Sequence, residues 1–322
     1  MHVPAAISAL IADPAPLHRA QECHADAYAA WRRQAGNDAV FESFAAFAQG
    51  AALSALPALA ALFDPASGAA KAFAGGLICA MLPALAAEPL GQIPVRHQNA
   101  RATTRLMLAR SEGATMTLMA LDGAALSAGP APASVAFTPA EEWDAVIAGH
   151  GRGLLIERTP AGRPSLHPVI LETGLCLGRD AAREALVPTG AEGPLVLLRL
   201  QRRREGPQPC TEVALADGRE LRRAAASSRE SRHALAAALL GAMGRADAAP
   251  LLAEIAGERQ RGDTLRWEAL RQCLGLATAQ GFETLCRIAR DAGDPLCTPA
   301  GAMRAALVER HPMLAELDRC RA

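Results

Sequence analysis

Lysine is nearly missing from this chain: Lys71 is the only one among 322 residues. A P-loop needs a lysine between a glycine and Ser/Thr to reach the β- and γ-phosphates. Lys71 instead sits in Ala-Ala-Lys71-Ala-Phe, which reads as helix. The same absence removes the strand lysine of a protein-kinase site and any second choice for a pyridoxal Schiff base. Aromatics make up 3% of the residues with a single Tyr, too few for a platform on which bases stack. Charge of one sign is also lacking: Lys+Arg and Asp+Glu are both 33, so there is no net field to hold a polyanion. Nucleic acid is not an expected partner.

Metal and redox signatures are missing too. The eight cysteines (23, 79, 176, 210, 273, 286, 297 and 320) include no Cys-x-x-Cys. The last four, with His311, crowd the C-terminal part at spacings that match no ligand pattern. They read as small buried hydrophobes in a reducing compartment, and the expected location is cytoplasmic. Met1 to Leu10 has no basic run of a signal peptide. The apolar stretch 44–63 is broken by Gln49, Gly50, Ser54 and Pro57, and 72–87 is short and carries Gly75, Gly76 and Pro83. Both read as buried helices, and no membrane partner is expected. The eight His form no His-x-His or His-Glu-x-x-His, and there is no Gly-x-Ser-x-Gly elbow.

What is present is apolar: 51% of the residues are hydrophobic, which with zero net charge excludes disorder and supports a sizeable core. Residues 1–98 read as a helical domain. In it, Phe41, Phe44 and Phe47 fall three apart on one helix face and read as core, with Asp38 as the cap. From about residue 101 the period falls to two, as in Thr104–Arg110 and Ala114–Leu121, and Asp122-Gly123 and Asp217-Gly218 read as hairpin turns. Short strands without helices between them predict an antiparallel barrel over 99–226. At Ser227-Ser228 the period returns to 3.6, and residues 227–322 read as a third, helical domain. The fold class is therefore α+β.

Gly129, five residues, Val135-x-Phe137, four residues, Glu142, six residues, Gly149 has the spacing of the first cupin signature. On that spacing residues 101–225 resemble the cupin superfamily, double-stranded β-helix barrels. The resemblance places Val135, Phe137 and, through a second and nearly erased signature, Ala185 where the family carries its metal-ligand histidines. Neutral imidazole is the usual first-row-metal ligand of such sites, so no metal and no cofactor is expected. The C-terminal helices resemble HEAT-type repeats: Leu239 to Ala256 parallels Cys273 to Ala289 at an offset of 33 to 34 residues. HEAT-like surfaces imply a protein partner.

If the barrel holds a small-molecule ligand, the candidates to line it are Glu142, Trp143, His150, His167 and Glu172. Trp143 shares its strand alternation with Ala145 and Ile147, which predicts burial inside the barrel. Nine Arg between 199 and 232 face five acidic residues. Arg202, Arg203, Arg204, Arg222 and Arg223 form the candidate anion or partner surface, against the simpler reading of an ion-paired, solvated strand face. The function these readings favour is non-enzymatic: a cytoplasmic ligand- or partner-binding regulatory or accessory protein, acting as a homo-oligomer or with a protein partner. The alternative is a cupin-type enzyme, a metal-dependent oxygenase or a metal-free isomerase, using a pocket in the β domain.

Overall fold

A computed structural model of the chain describes residues 13–159, 162–204, 208–225 and 228–319. The described residues fall into two compact units. One draws on Met1–Ala133, Ala140–Pro160 and Pro164–Arg203, the other on Ser134–Pro139, Ala161–Arg163 and Arg204–Ala322. These boundaries differ from a division at 98 and 226, because one short strand leaves the middle region to pair with the chain after residue 204.

The first unit opens with α1 (Ala15–Arg32), α2 (Ala35–Ala48), α3 (Pro57–Ala60) and α4 (Ala69–Ala87). Helix α2 begins a turn before Asp38, after Gln34, and has no side-chain cap; Asp38 lies in its first turn, where a carboxylate suits the helix dipole. The Phe stripe is core as read: Phe41, Phe44 and Phe47 are buried, and Phe41 meets Trp31 edge-on at 5.7 Å between ring centroids. By length and composition α4 is apolar enough to cross a membrane, but Phe73, Ala74, Leu77 and Met81 bury one face of it in the same core.

Then follow β1 (Arg96–Ala100), β2 (Thr103–Arg110), β3 (Ala114–Asp122) and α5 (Gly123–Ser127). Asp122-Gly123 does not turn a hairpin. The Asp122 carboxylate accepts the amides of Ala124 and Ala125 at 2.9 and 3.2 Å and so caps α5. The rest of the unit is β5 (Ala140–Ala148), β6 (His150–Glu157), β7 (Ser165–Glu172), β8 (Cys176–Asp180), β9 (Glu184–Ala191) and β10 (Pro194–Arg203). One antiparallel sheet runs β1-β2-β3-β10-β5-β8 and another runs β7-β6-β9. Met119, Leu121, Val146, Leu195 and Leu197 from the first sheet share a core with Leu171 and Leu186 from the second, so the sheets pack face to face. This strand order, with β3-β10-β5-β8 opposed to β9-β6-β7, is that of a double-sheet jelly roll short of one strand. Helix α5 packs against β9, on the edge the missing strand would extend.

The missing strand is β4 (Ser134–Phe137). It pairs with β11 (Cys210–Ala214), which pairs with β12 (Glu220–Ala224), and all three belong to the second unit. Asp217-Gly218 does form the β11–β12 turn, where Gly218 has the positive φ (76°) that such a turn requires. Val135 and Phe137 therefore lie opposite Val213 and Thr211, outside the jelly roll, and not at ligand positions within it. The second unit continues with α6 (Ser228–Ala242), α7 (Ala249–Gly257), α8 (Asp263–Leu276), α9 (Thr278–Arg290), α10 (Cys297–Arg310) and α11 (Leu314–Arg319) around a core of their own.

Candidate functional site

The side chains of β5 divide cleanly. Trp143, Ala145 and Ile147 join the core under the N-terminal helices, while Glu142, Asp144 and Val146 face the other way, into the jelly roll. The expectation for Trp143 is corrected here. It is half-buried on the outer face of its sheet, edge-on to Phe47 at 5.6 Å, and it does not line the barrel. The apolar alternation is real, but it belongs to a sheet covered on both faces. Its cross-strand neighbour is Gly178, where an added Cβ would come within 2.9 Å of the indole Cδ1 and Nε1. Gly178→Ala is therefore expected to destabilise the unit by about 1–3 kcal/mol, the usual range for overpacking. In a Trp143→Ala background the same change should be nearly neutral, a coupling read from a denaturation double-mutant cycle.

Inside the jelly roll the structure assembles a group of charges. Arg179 on β8 donates Nη2 to Glu142 and Nη1 to Asp144 Oδ2, the latter at 2.6 Å. Arg199 on β10 clasps the same Asp144 through Nε at 2.8 Å and Nη2 at 3.0 Å, with Nη1 3.7 Å from Glu142. Gln201 Nε2 donates to the second Glu142 oxygen at 2.8 Å. Glu142, Asp144 and Arg179 are buried, and Arg179 Nε has no hydrogen-bond partner. Burial pushes the Asp144 carboxyl up, but Arg199 and then Arg179 outweigh it and hold the pKa below the ordinary carboxylate value. Burial likewise opposes the Arg199 charge, while Asp144 and Glu142 hold its pKa above the usual one.

These residues do not fit the metal that the cupin resemblance brings to mind. The cluster offers two carboxylates already engaged by two guanidinium groups, and a divalent cation there would stand against both positive charges. Asp144, whose carboxyl the two arginines hold below the ordinary range, is a poor acid or base near neutral pH.

The other sequence candidates are dispersed. His150 and Glu172 sit opposite each other on β6 and β7, both exposed, and His150 Nδ1 is 3.6 Å from the exposed Glu192. His167 Nε2 is 3.8 Å from Glu157, also in solvent. None of these contacts reaches Glu142. The arginine surface divides between the units. Arg202 is structural: it pairs with Glu141 at 2.7 Å, donates to the carbonyls of Phe47 and Ala51, and lies 4.4 Å over the Phe47 ring. Arg203, beside it, is exposed. In the second unit Arg204 is engaged, Arg222 lies 3.8 Å from Glu212, and Arg223 pairs with Glu220 at 2.8 Å. Asp144, Arg179 and Arg199 were not singled out from the sequence as a site. The signal for them was a charge flanked by apolar residues on a strand with two buried faces, as in Leu198-Arg199-Leu200.

No family model matches the sequence, and no curated protein does. Among solved structures, a putative mannose-6-phosphate isomerase from Ralstonia eutropha JMP134 is similar at 20% identity and TM-score 0.26, covering 34% of this chain and 93% of that one. A cupin superfamily protein from Desulfitobacterium hafniense DCB-2 is similar at 12% identity and TM-score 0.24, covering 33% and 84%. A Bacillus subtilis oxalate decarboxylase variant is similar at 14% identity and TM-score 0.25, covering 34% and 28%. The jelly-roll assignment rests on the strand order and shared core, not on these likenesses.

Proposed function

We propose that this chain is a non-enzymatic binding protein of the cytoplasm, with the jelly roll as a scaffold and the helical unit as a protein-contact surface. The observation that carries the reading is the state of the barrel interior. Among the described residues its buried carboxylates, Glu142 and Asp144, are both held by the protein's own guanidinium and amide donors, so neither is free to act as acid, base or metal ligand. Reduced thiols suit the proposed compartment, and no disulfide forms among the described residues.

The contact surface is α6 and the residue that follows it. Leu235, Leu239 and Met243 fall four apart and are 71%, 58% and 60% exposed, while Ala237 on the same helix is buried in the helical core. Such a stripe is the mark of a contact surface. The tandem likeness of α6–α7 to α8–α9 supports a HEAT-like reading, in which the first repeat's free face seeks a neighbour. Two copies of the chain meeting at this stripe is the reading we adopt. Light scattering is expected to give a mass of twice 33.5 kDa for the parent protein and a monomer for Leu239→Glu, which changes an exposed side chain and leaves the core intact. A parent chain that stays monomeric at high concentration would count against the contact surface.

A further inference from the structure

A groove of about 530 Å³ in the first unit runs between α1 and α2 on one side and β1 and β2 on the other. Its apolar lining includes Tyr28, Phe41 and Phe44, and its charged groups are Arg32, Arg96 and Arg110; no Asp or Glu lines it. All three guanidinium-bearing residues are exposed, and among the described residues none of them forms an ion pair or a side-chain hydrogen bond. Other arginines of the chain are matched. Arg179, Arg199, Arg202, Arg223, Arg245 and Arg266 each pair with a carboxylate, as the balanced composition allows. Around this depression three cations stand together with no carboxylate in the lining, which concentrates positive charge at its rim.

The floor is equally specific. Phe41 and Phe44 are buried, and Tyr28 is half-buried, held by its hydroxyl donating to the Leu108 carbonyl at 3.2 Å. The Arg32 guanidinium carbon lies 4.2 Å over the Phe41 ring. Stacked in this way, a guanidinium satisfies its face on the ring and keeps its N–H edge free for a forked contact with an anion.

We infer that this groove binds a small organic anion: a carboxylate or phosphate monoester whose apolar body rests against the Tyr28, Phe41 and Phe44 side while Arg32, Arg96 and Arg110 hold the headgroup. The inference is independent of the contact surface on α6, and its readout does not involve oligomer mass.

The test is calorimetric titration of the full chain with benzoate and with phenyl phosphate, beside benzyl alcohol and inorganic phosphate. At least one aryl anion should bind, and the tighter one identifies the headgroup. Benzyl alcohol, which lacks the charge, and inorganic phosphate, which lacks the apolar body, should each bind at least about tenfold more weakly. Arg96→Gln and Arg110→Gln, exposed changes checked by an unaltered melting curve, should each weaken the aryl anion about tenfold, as expected for one charge-assisted contact. The proposal is overturned if neither aryl anion binds at millimolar concentration. It is equally overturned if benzyl alcohol or inorganic phosphate binds as tightly as the aryl anion, or if Arg96→Gln and Arg110→Gln both bind it as the parent does.

Discussion

Asp144→Ala is expected to lower the stability of the jelly-roll unit by about 3–5 kcal/mol, the cost of removing one partner from a buried ion pair. At roughly 2–4 °C per kcal/mol for a domain of this size, the melting point falls by on the order of 10 °C. The size of the effect follows from what remains. Arg199 loses both of its short contacts and keeps only the 3.7 Å approach to Glu142, and Arg179 loses its Nη1 partner while its Nε is already without one. Asp144→Asn keeps the shape and removes the charge, and it should be nearly as damaging; an Asn variant as stable as the parent would show that packing, not charge, holds the site. The pH dependence follows from the same pairing. The folded pKa of Asp144 lies below its unfolded value of about 3.9. Its contribution is thus fully present above that value and is lost as pH falls through the folded pKa. Denaturation midpoints should be flat for this group near neutrality and drop in acid for the parent, and the Asn variant should lose that part of the acid limb.

The sequence made the elements legible because their periods are local properties. The change from 3.6 to two near residue 101, and back near 228, coincides with the observed strands and helices. Glu142, a candidate to line the barrel, sits on an inward-facing position of β5. What did not follow was pairing at a distance. Nothing within Ser134–Phe137 says that it joins β11 rather than β9. That choice depends on Val135 and Phe137 finding Val213 and Thr211, some 75 residues away, with Ser134 donating to Glu212 at 2.5 Å. The same limit explains Trp143: alternation says which residues share a face but not which of two buried faces it is. It also explains the charge cluster, since Glu142 and Asp144 were visible as strand residues while their partners Arg179 and Arg199 come from strands that only the sheet topology makes neighbours. The exposed arginines of the groove were hidden for a similar reason, because Arg32 lies on a helix and Arg96 and Arg110 lie on two different strands.

Arg266→Ala is expected to unfold much of the helical unit under conditions in which the jelly roll survives. Arg266 is 1% exposed and ties three segments together. Its Nε donates to the Ala256 carbonyl on α7 at 3.0 Å, and its two Nη atoms grip both oxygens of Asp294, beyond α9, at 3.0 and 2.5 Å. Asp294 in turn accepts the Leu296 amide at 2.9 Å, which fixes the approach to α10. Truncation leaves a buried carboxylate with its nearest counterion gone, an unmatched carbonyl and a cavity the size of the side chain. The first of these alone costs about 3–5 kcal/mol, comparable to the whole stability of many domains, at about 5–15 kcal/mol. Arg266→Lys keeps the charge but cannot reproduce the planar fork, so it should recover only part of the loss. Amide hydrogen exchange separates the two units within one sample: in Arg266→Ala the amides of Leu270 and Leu285 in the helical core should lose protection, while those of Leu197 and Leu198 on β10 should keep theirs. A lysine variant with the parent's protection throughout would show that one positive charge suffices there and that the forked geometry contributes nothing.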